Sequence, residues 1–342
     1  MSTLIFTRRL WIKLIQLNTW TLVFATTTLI LISSFAIHLL EPETFITPFE
    51  GLWWTMTTVA TVGYGDVSPT TVRGKIFAMI LYVVGIGLMT VFIGKVIDSF
   101  SLRKRLKEEG KLVVQTKNHI VLINWSKKAE ITLQELLHSF NDIHIVIIDE
   151  TLKKVPLMHE RVDFVSGDPE SEEVLLKANI LECKTAMLFA PDALTTASQA
   201  DGQTLLVASI LKDTASKFGK NIYTICEVSN SKHIQAFAHA EVEEFITSND
   251  TAAHLAARSI LFNGSSEIIR QLTSNKGHDL YHIPKKSEWK TFSDASNELA
   301  SKGALLIANH NDLSIISKLD QDIPNDAKLF IICDDDTYQL LM

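Results

Sequence analysis

Between Lys13 and Arg73 the chain carries neither Lys nor Arg, and this gap constrains the fold more than any other feature. Trp20 to Leu40 within it has no formal charge. At 1.5 Å per residue that run makes about 31 Å of helix, enough to cross the hydrocarbon core of a bilayer. A second apolar run, Ile76 to Ile97, has the same length class, and its Lys95 comes late enough to snorkel to an interface. Phe49 to Ala60, between the two, is apolar but too short to span, and reads as a re-entrant helix. Leu4 to Leu17 mixes bulky apolar residues with Arg8, Arg9 and Lys13, which suits an amphipathic helix at the membrane surface.

The re-entrant helix leads into Thr61-Val62-Gly63-Tyr64-Gly65-Asp66. Glycines at alternate positions permit the backbone to turn successive carbonyl oxygens inward, where they replace the water shell of a dehydrated cation. This is the chemistry of a potassium selectivity filter, with the Thr61 hydroxyl adding a further ring of oxygens and Val62 and Tyr64 packing behind. K+ would be the permeant ion, and the partial negative charge of the short helix's C-terminus favours a cation beneath the filter. Trp53 and Trp54 are placed to form a cuff around it, with an indole N–H able to reach Asp66. Gly85, in Val84-Gly85-Ile86-Gly87, marks a candidate gating hinge in the second span, although glycines there also allow close helix packing. Basic residues before the first span and after the second (Arg103, Lys104, Arg105, Lys107, Lys111) predict a multi-pass protein of the cell membrane with both termini cytoplasmic and the filter facing outward.

The charges return beyond residue 100, and the pattern changes to that of a soluble domain. Apolar runs His119–Ile123 and His144–Ile148 flank a helical segment, 128–140, as in a βαβ unit. Further strands are expected at 162–165, 185–190, 221–226 and 244–247, with helices at 171–179, 197–211 and 232–239 between them. The result is a doubly wound parallel sheet of about six strands. Asp250 is expected to cap a helix running to Phe262, followed by a second at 266–273. The pair has no obvious place in the same monomer's core, which suggests that it crosses to a partner. Residues 275–277 read as a linker. A small α+β unit closes the chain, with strands near 279–283, 304–309, 313–316 and 328–332 and a helix near 292–301; Asp334-Asp335-Asp336 reads as a solvated terminal loop.

The predicted domains are thus an interfacial helix (1–18), a pore module (19–100: spans 20–40 and 76–97, pore helix 49–60, filter 61–66) and a linker (101–116). They are followed by the α/β lobe (117–248), a helical crossover (249–275) and a C-terminal subdomain (276–342). A net charge of −7 argues against nucleic acid as a partner. Cys183, Cys226 and Cys333 have no metal-ligand spacing and read as reduced thiols, and the histidines show no zinc motif.

A two-span module with TVGYGD joined to such a domain resembles the prokaryotic RCK-gated potassium channels. The likeness is carried by Trp53-Trp54, Thr61 to Asp66 and Val84 to Gly87, and also by Ile120 to Ser126, Gly167-Asp168 and Cys226-Glu227. The resemblance implies a Rossmann-like RCK domain, a homotetrameric pore in membrane lipid and an octameric gating ring of RCK domains that pulls on the inner helices. Further RCK copies would have to come from a separate product. An internal start in the linker would need a codon other than Met, since none occurs between Met89 and Met158.

The regulatory ligand belongs to one of two classes, a nucleotide (adenine nucleotide or NAD(H)) or a divalent cation such as Ca2+. In place of the G-x-G-x-x-G of a dinucleotide site stands Asn124-Trp125-Ser126-Lys127-Lys128-Ala129, without a single glycine. Asp149 nevertheless stands where a ribose-binding acid would, with a solvated strand end as the alternative. Ser126 and Lys127 could cradle the phosphate of an adenine nucleotide or NAD(H), with Asn124 and Asp168 at the adjoining strand ends. For Ca2+, Glu227 matches a family acidic position, but Ser229 and Ala190 replace the other acids expected. A regulatory subunit for a separate K+ transporter is the alternative function, and the built-in filter weighs against it. A membrane-anchored NAD-dependent oxidoreductase is disfavoured by the missing glycines and by the lack of a catalytic constellation, so the chain reads as a non-enzyme.

Overall fold

The computed structural model describes residues 19–342 apart from Ala193, Thr195, Asn275 and Lys276. The expected interfacial helix and most of the 275–277 linker lie outside the described residues. Two compact units divide at Leu106 and Lys107.

The first unit holds three helices, α1 (Thr19–Leu40), α2 (Pro48–Val59) and α3 (Val72–Glu108), the last two residues of α3 belonging to the second unit. Both α1 and α3 are long and apolar enough to cross a membrane. Only Gly74, Ala78, Leu81 and Gly85 of α3 are buried, while Ile80, Val83, Ile86 and Ile97 are exposed. A helix apolar all round with so little buried is built for lipid or for a neighbouring chain rather than for a water-facing surface. Helix α2 begins where the sequence demands it: Thr47 and Glu50 form a reciprocal capping box, and Pro48 sits at the first position, where its missing N–H costs nothing. Ile37, Phe45, Trp54, Val59, Ala78 and Leu81 form the core that joins the three helices. Helix α3 runs past the predicted span without interruption as far as Glu108.

The second unit is built on six parallel strands: β1 (Ile120–Ile123), β2 (Ile145–Asp149), β3 (Val162–Ser166), β4 (Thr185–Leu188), β5 (Tyr223–Glu227) and β6 (Glu244–Ile246). Their order is β3-β2-β1-β4-β5-β6, so the chain reverses direction across the sheet between β1 and β4. Alternate residues of each strand serve opposite faces. Leu122, Ile145, Ile147 and Met187 pack under α4 (Lys127–Ser139), while Val121, Ile123, Val146 and Ile148 pack under α5 (Glu172–Lys177) and α6 (Ala197–Lys217). Ser126 caps α4 by accepting from the Ala129 N–H. Helix α6 continues beyond the predicted Leu211 to Lys217, and the segment predicted as a helix at 232–239 is 3₁₀, Ser231–His239.

After β6 come α7 (Ser248–Leu261) and α8 (Ser265–Leu272), neither with a buried residue. Helix α7 starts two residues before the predicted cap, leaving Asp250 in its first turn. A three-stranded antiparallel sheet follows, β7 (Asp279–Pro284), β8 (Leu305–Asn309) and the central β9 (Lys328–Cys333), packed on α9 (Phe292–Ser301). The strand expected at 313–316 is instead a 3₁₀ turn, Leu313–Ser317. Asp312 accepts from both the backbone and the hydroxyl of Ser314 and pairs with Lys318 at 2.7 Å, and this local ring overrides the apolar pattern. The expected acidic terminal loop is likewise a helix, α10 (Asp335–Leu341). Asp334 caps it through the Thr337 N–H, and Asp335 and Asp336 favour its first turn.

Candidate functional site

The first unit's candidate site begins at the C-terminus of α2. The Thr57 carbonyl accepts from both Val62 N (2.8 Å) and Gly63 N (3.1 Å), so the short helix delivers the chain into the hexapeptide. There φ is +60° at Thr61, +56° at Gly63 and +73° at Gly65. Every second residue is therefore left-handed, the alternation that turns neighbouring carbonyls to one side. Glycine takes such angles without strain, whereas a β-branched residue such as Thr61 resists them and is held there by its surroundings. The two tryptophans part company. Trp53 donates its indole N–H to Asp66 at 2.9 Å and stacks on Tyr64 with ring centroids 5.8 Å apart. That hydrogen bond holds the Asp66 carboxyl below the usual carboxylate range. Trp54 turns the other way, into the core against Phe45. Val62 and Tyr64 stay largely exposed in the single chain. Helix α3 passes through Gly85 unbroken, and a Cβ there would lie 3.0 Å from the Val59 side chain, so Gly85 marks a close contact with α2.

Glu41 is the residue that sequence reasoning missed in this unit. It is buried where α1 ends, and its two oxygens accept from the backbone and hydroxyl groups of Thr70 and Thr71. Burial pushes its carboxyl up, but these donors outweigh burial and hold it at about 2. A Cβ on Gly74 would strike Glu41 Oε1 at 1.8 Å, so the start of α3 closes over the carboxylate. The only sequence signal was an acid placed just after an apolar span.

The second unit's candidate site is the crevice at the carboxyl ends of β1 and β4, where ligands enter folds of this topology. Asn124 has φ +67°, which restores the backbone turn that the first missing glycine would have made. Its side chain donates to Phe189 O. The other expected groups are committed to internal bonds. Ser126 is the cap of α4; Lys127 pairs with Glu130 at 2.7 Å, while its backbone N–H goes to Asp192. Asp149 is not a solvated strand end. It is buried and accepts from Trp125 N, Thr151 N, Thr151 Oγ1 and Leu152 N, all within 2.8 Å. Asp168 accepts from Glu170 N in the turn before α5.

Glu227 is buried and receives Lys128 at 2.5 Å, Ala190 N at 3.0 Å and the Ser248 hydroxyl. Its charge is already balanced, and among the described residues no group of three or more metal-ligating side chains gathers. The residues present therefore do not fit a calcium cage. Nor do they fit a dinucleotide's pyrophosphate, because the loop amides of Trp125 and Lys127 are held by carboxylates of the chain itself. Below Glu227 an apolar groove runs along the sheet past Phe189, Met187, Ile225 and Leu122. On the opposite side Asp201, also unforeseen, accepts from Ser229 N, Asn230 N and His233.

Residues 25–101 match a family described as an ion channel, and residues 120–248 match the TrkA-N domain. YugO of Bacillus subtilis (strain 168), which bears the name of a potassium channel protein, is 31% identical over 224 residues, covering 65% of this chain and 66% of YugO. The calcium-gated potassium channel TvoK of Thermoplasma volcanium is 28% identical over 288 residues, covering 81% of this chain and 77% of TvoK. Among solved structures, the human SLO3 gating ring shares the fold with a TM-score of 0.51 and 13% identity, over 65% of this chain and 45% of that one. The present chain thus spans about two thirds of YugO and less than half of the SLO3 chain.

Proposed function

The chain belongs to the family of potassium channel proteins that join a two-span pore module to a TrkA-N domain, and on that premise we propose that it conducts K+ passively through a pore built by four copies. One observation carries this reading: the left-handed alternation at Thr61, Gly63 and Gly65, set at the end of a short capped helix between two membrane-length helices. Trp53, Asp66 and Tyr64 brace that backbone from behind, and the carbonyl oxygens replace the hydration of K+. The filter faces outward and both termini are cytoplasmic. Gly85 is the hinge of the pore-lining helix, its close contact with Val59 being made in one state and released in the other.

Control comes from the α/β domain, assembled into a gating ring through helices α7 and α8. Their lack of any buried residue supports an intersubunit role. A ligand bound at the β1/β4 crevice shifts the population of open pores. TvoK is named as calcium-gated, but the crevice of this chain as folded fits neither a calcium cage nor a dinucleotide's pyrophosphate, so a ligand there would have to displace the internal bonds of Glu227 or of the Trp125 loop. The purified protein in potassium-loaded liposomes tests the reading. Selective K+ efflux is the expected result, and calcium, an adenine nucleotide and NAD(H) are added in turn to look for a change in it. Absence of K+ flux under every condition would sink it.

A further inference from the structure

The end of α3 is held by two contacts that lead back to one residue. Helices end with unpaired carbonyls, which need donors from elsewhere. Glu108, the last residue of α3, finds one: its carbonyl accepts from Val155 N at 2.8 Å. Two residues on, Gly110 adopts φ +65°, and its carbonyl accepts from Ser166 N at 3.1 Å and from Lys177 Nζ at 2.9 Å. No other residue fits at that position, because a Cβ would lie 2.4 Å from Ser166 N.

Both donors belong to segments organised by Asp149. Val155 lies in the loop that leaves β2, whose first turn is tied by Asp149 Oδ1 through Thr151 and Leu152. Ser166 pairs with Asp149 in the sheet, and Gly167 N donates to the Asp149 carbonyl. The remaining oxygen, Oδ2, holds Trp125 N, in the loop that floors the crevice. Asp149 therefore joins the crevice to both grips on the helix end, through its carboxylate toward Val155 and through its backbone toward Ser166.

We propose that Asp149 is a positioning residue that couples the Trp125 loop to the clasp around Glu108 and Gly110. It is not a contact to a ribose. A shift of the Trp125 loop moves Asp149, whose side chain carries the β2–β3 loop and whose backbone carries the end of β3, and with them the end of α3. That this movement gates a pore rests on the function proposed above; the coupling itself does not.

Amide hydrogen exchange on the full-length protein in detergent tests the coupling. Asp149→Asn keeps the size of the side chain but offers N–H groups where one set of donors needs an acceptor. Exchange should quicken roughly tenfold at Trp125, and also at Val155 and Ser166, whose amides the Asp149 side chain does not touch, while Ile225 to Glu227 stay unchanged. In the reverse direction, Gly110→Ala should quicken exchange at Trp125. Thr151→Val, a milder change that removes only the hydroxyl bond, should give a smaller effect at both Trp125 and Val155. Acceleration confined to Trp125, Thr151 and Leu152 in the Asp149 variant, or an unchanged Trp125 in the other two, overturns the proposal. Potassium flux from liposomes separates the two readings: coupled exchange without wild-type flux removes the channel and leaves the coupling, and flux with uncoupled exchange does the opposite.

Discussion

The two units of this molecule place polar and apolar groups in opposite ways yet fix their loops by the same means. In the first unit apolar side chains such as Phe24, Ile80 and Val83 face outward, and the demanding polar chemistry is backbone, in the left-handed alternation from Thr61 to Gly65. In the second unit Val121, Ile123, Ile145 and Ile148 are wholly buried, and charge gathers at the ends of strands. Both units nevertheless use buried carboxylates to collect the N–H groups of a nearby loop: Glu41 for Thr70 and Thr71, Asp149 for Trp125, Thr151 and Leu152, and Asp201 for Ser229 and Asn230. A carboxylate that accepts several N–H bonds is stable without a metal or a cation, and it fixes a loop that apolar packing cannot grip.

The comparison breaks if a change in one unit spreads to the other. The largest effect is expected at the proposed filter. Gly63→Ala and Gly65→Ala each force an L-residue into left-handed backbone, at about 1–3 kcal/mol of strain, and should abolish selective K+ flux while leaving the unfolding of the α/β unit unchanged. Glu41→Gln comes next. It turns N–H groups toward the donors of Thr70 or Thr71 and should destabilise the helical unit by about 1–3 kcal/mol, read from its thermal unfolding in detergent. The same residue predicts a pH dependence. Because its folded value is depressed from 4.5 to about 2, its contribution is fully present above about pH 4.5 and is lost as the pH falls toward 2. The acid-induced fall in unfolding temperature of the helical unit should therefore be smaller in Glu41→Gln than in the wild type.

Glu227→Gln weakens a bond to Lys128 that is only partly shielded from water, and is expected to cost the α/β unit about 1 kcal/mol in chemical denaturation. The smallest signal is a null one. Burial pushes the Cys183 and Cys226 thiols up to about 12, so neither should react with a thiol reagent at pH 8 until the α/β unit unfolds. Since every cysteine lies in that unit, labelling that quickened in Glu41→Gln would contradict the independence of the two.

How much of this was legible in the sequence follows from the range of the interactions involved. The two long apolar helices, the alternating backbone from Thr61 to Gly65 and the parallel strands rest on local pattern, and each strand from β1 to β6 was expected within a few residues of where it lies. The reach of Trp53 to Asp66 was legible too, because Trp53 lies in the short helix that leads directly to Asp66. What stayed hidden depends on partners distant in sequence. Glu41 meets Thr70 and Thr71, Lys128 meets Glu227, and Asp201 meets Ser229, and no periodicity links the members of these pairs. Leu313 to Ile316 failed for the opposite reason: a polar ring within seven residues outweighed an apolar pattern of the right length for a strand. At Asn124 the sequence showed lost glycines, whereas the backbone shows the turn retained by a residue that tolerates it.

The unbroken course of α3 from Val72 to Glu108 has a mechanical meaning. A helix is a strut without slack, stiff along its axis, and it lengthens only when residues leave it. Each that does so exchanges a rise of about 1.5 Å for one of about 3.4 Å. Tension applied at Glu108 would therefore either pass undiminished along the helix or be spent in discrete steps of melting at its charged end, and the positive φ of Gly110, beyond that end, keeps the helix from growing past it.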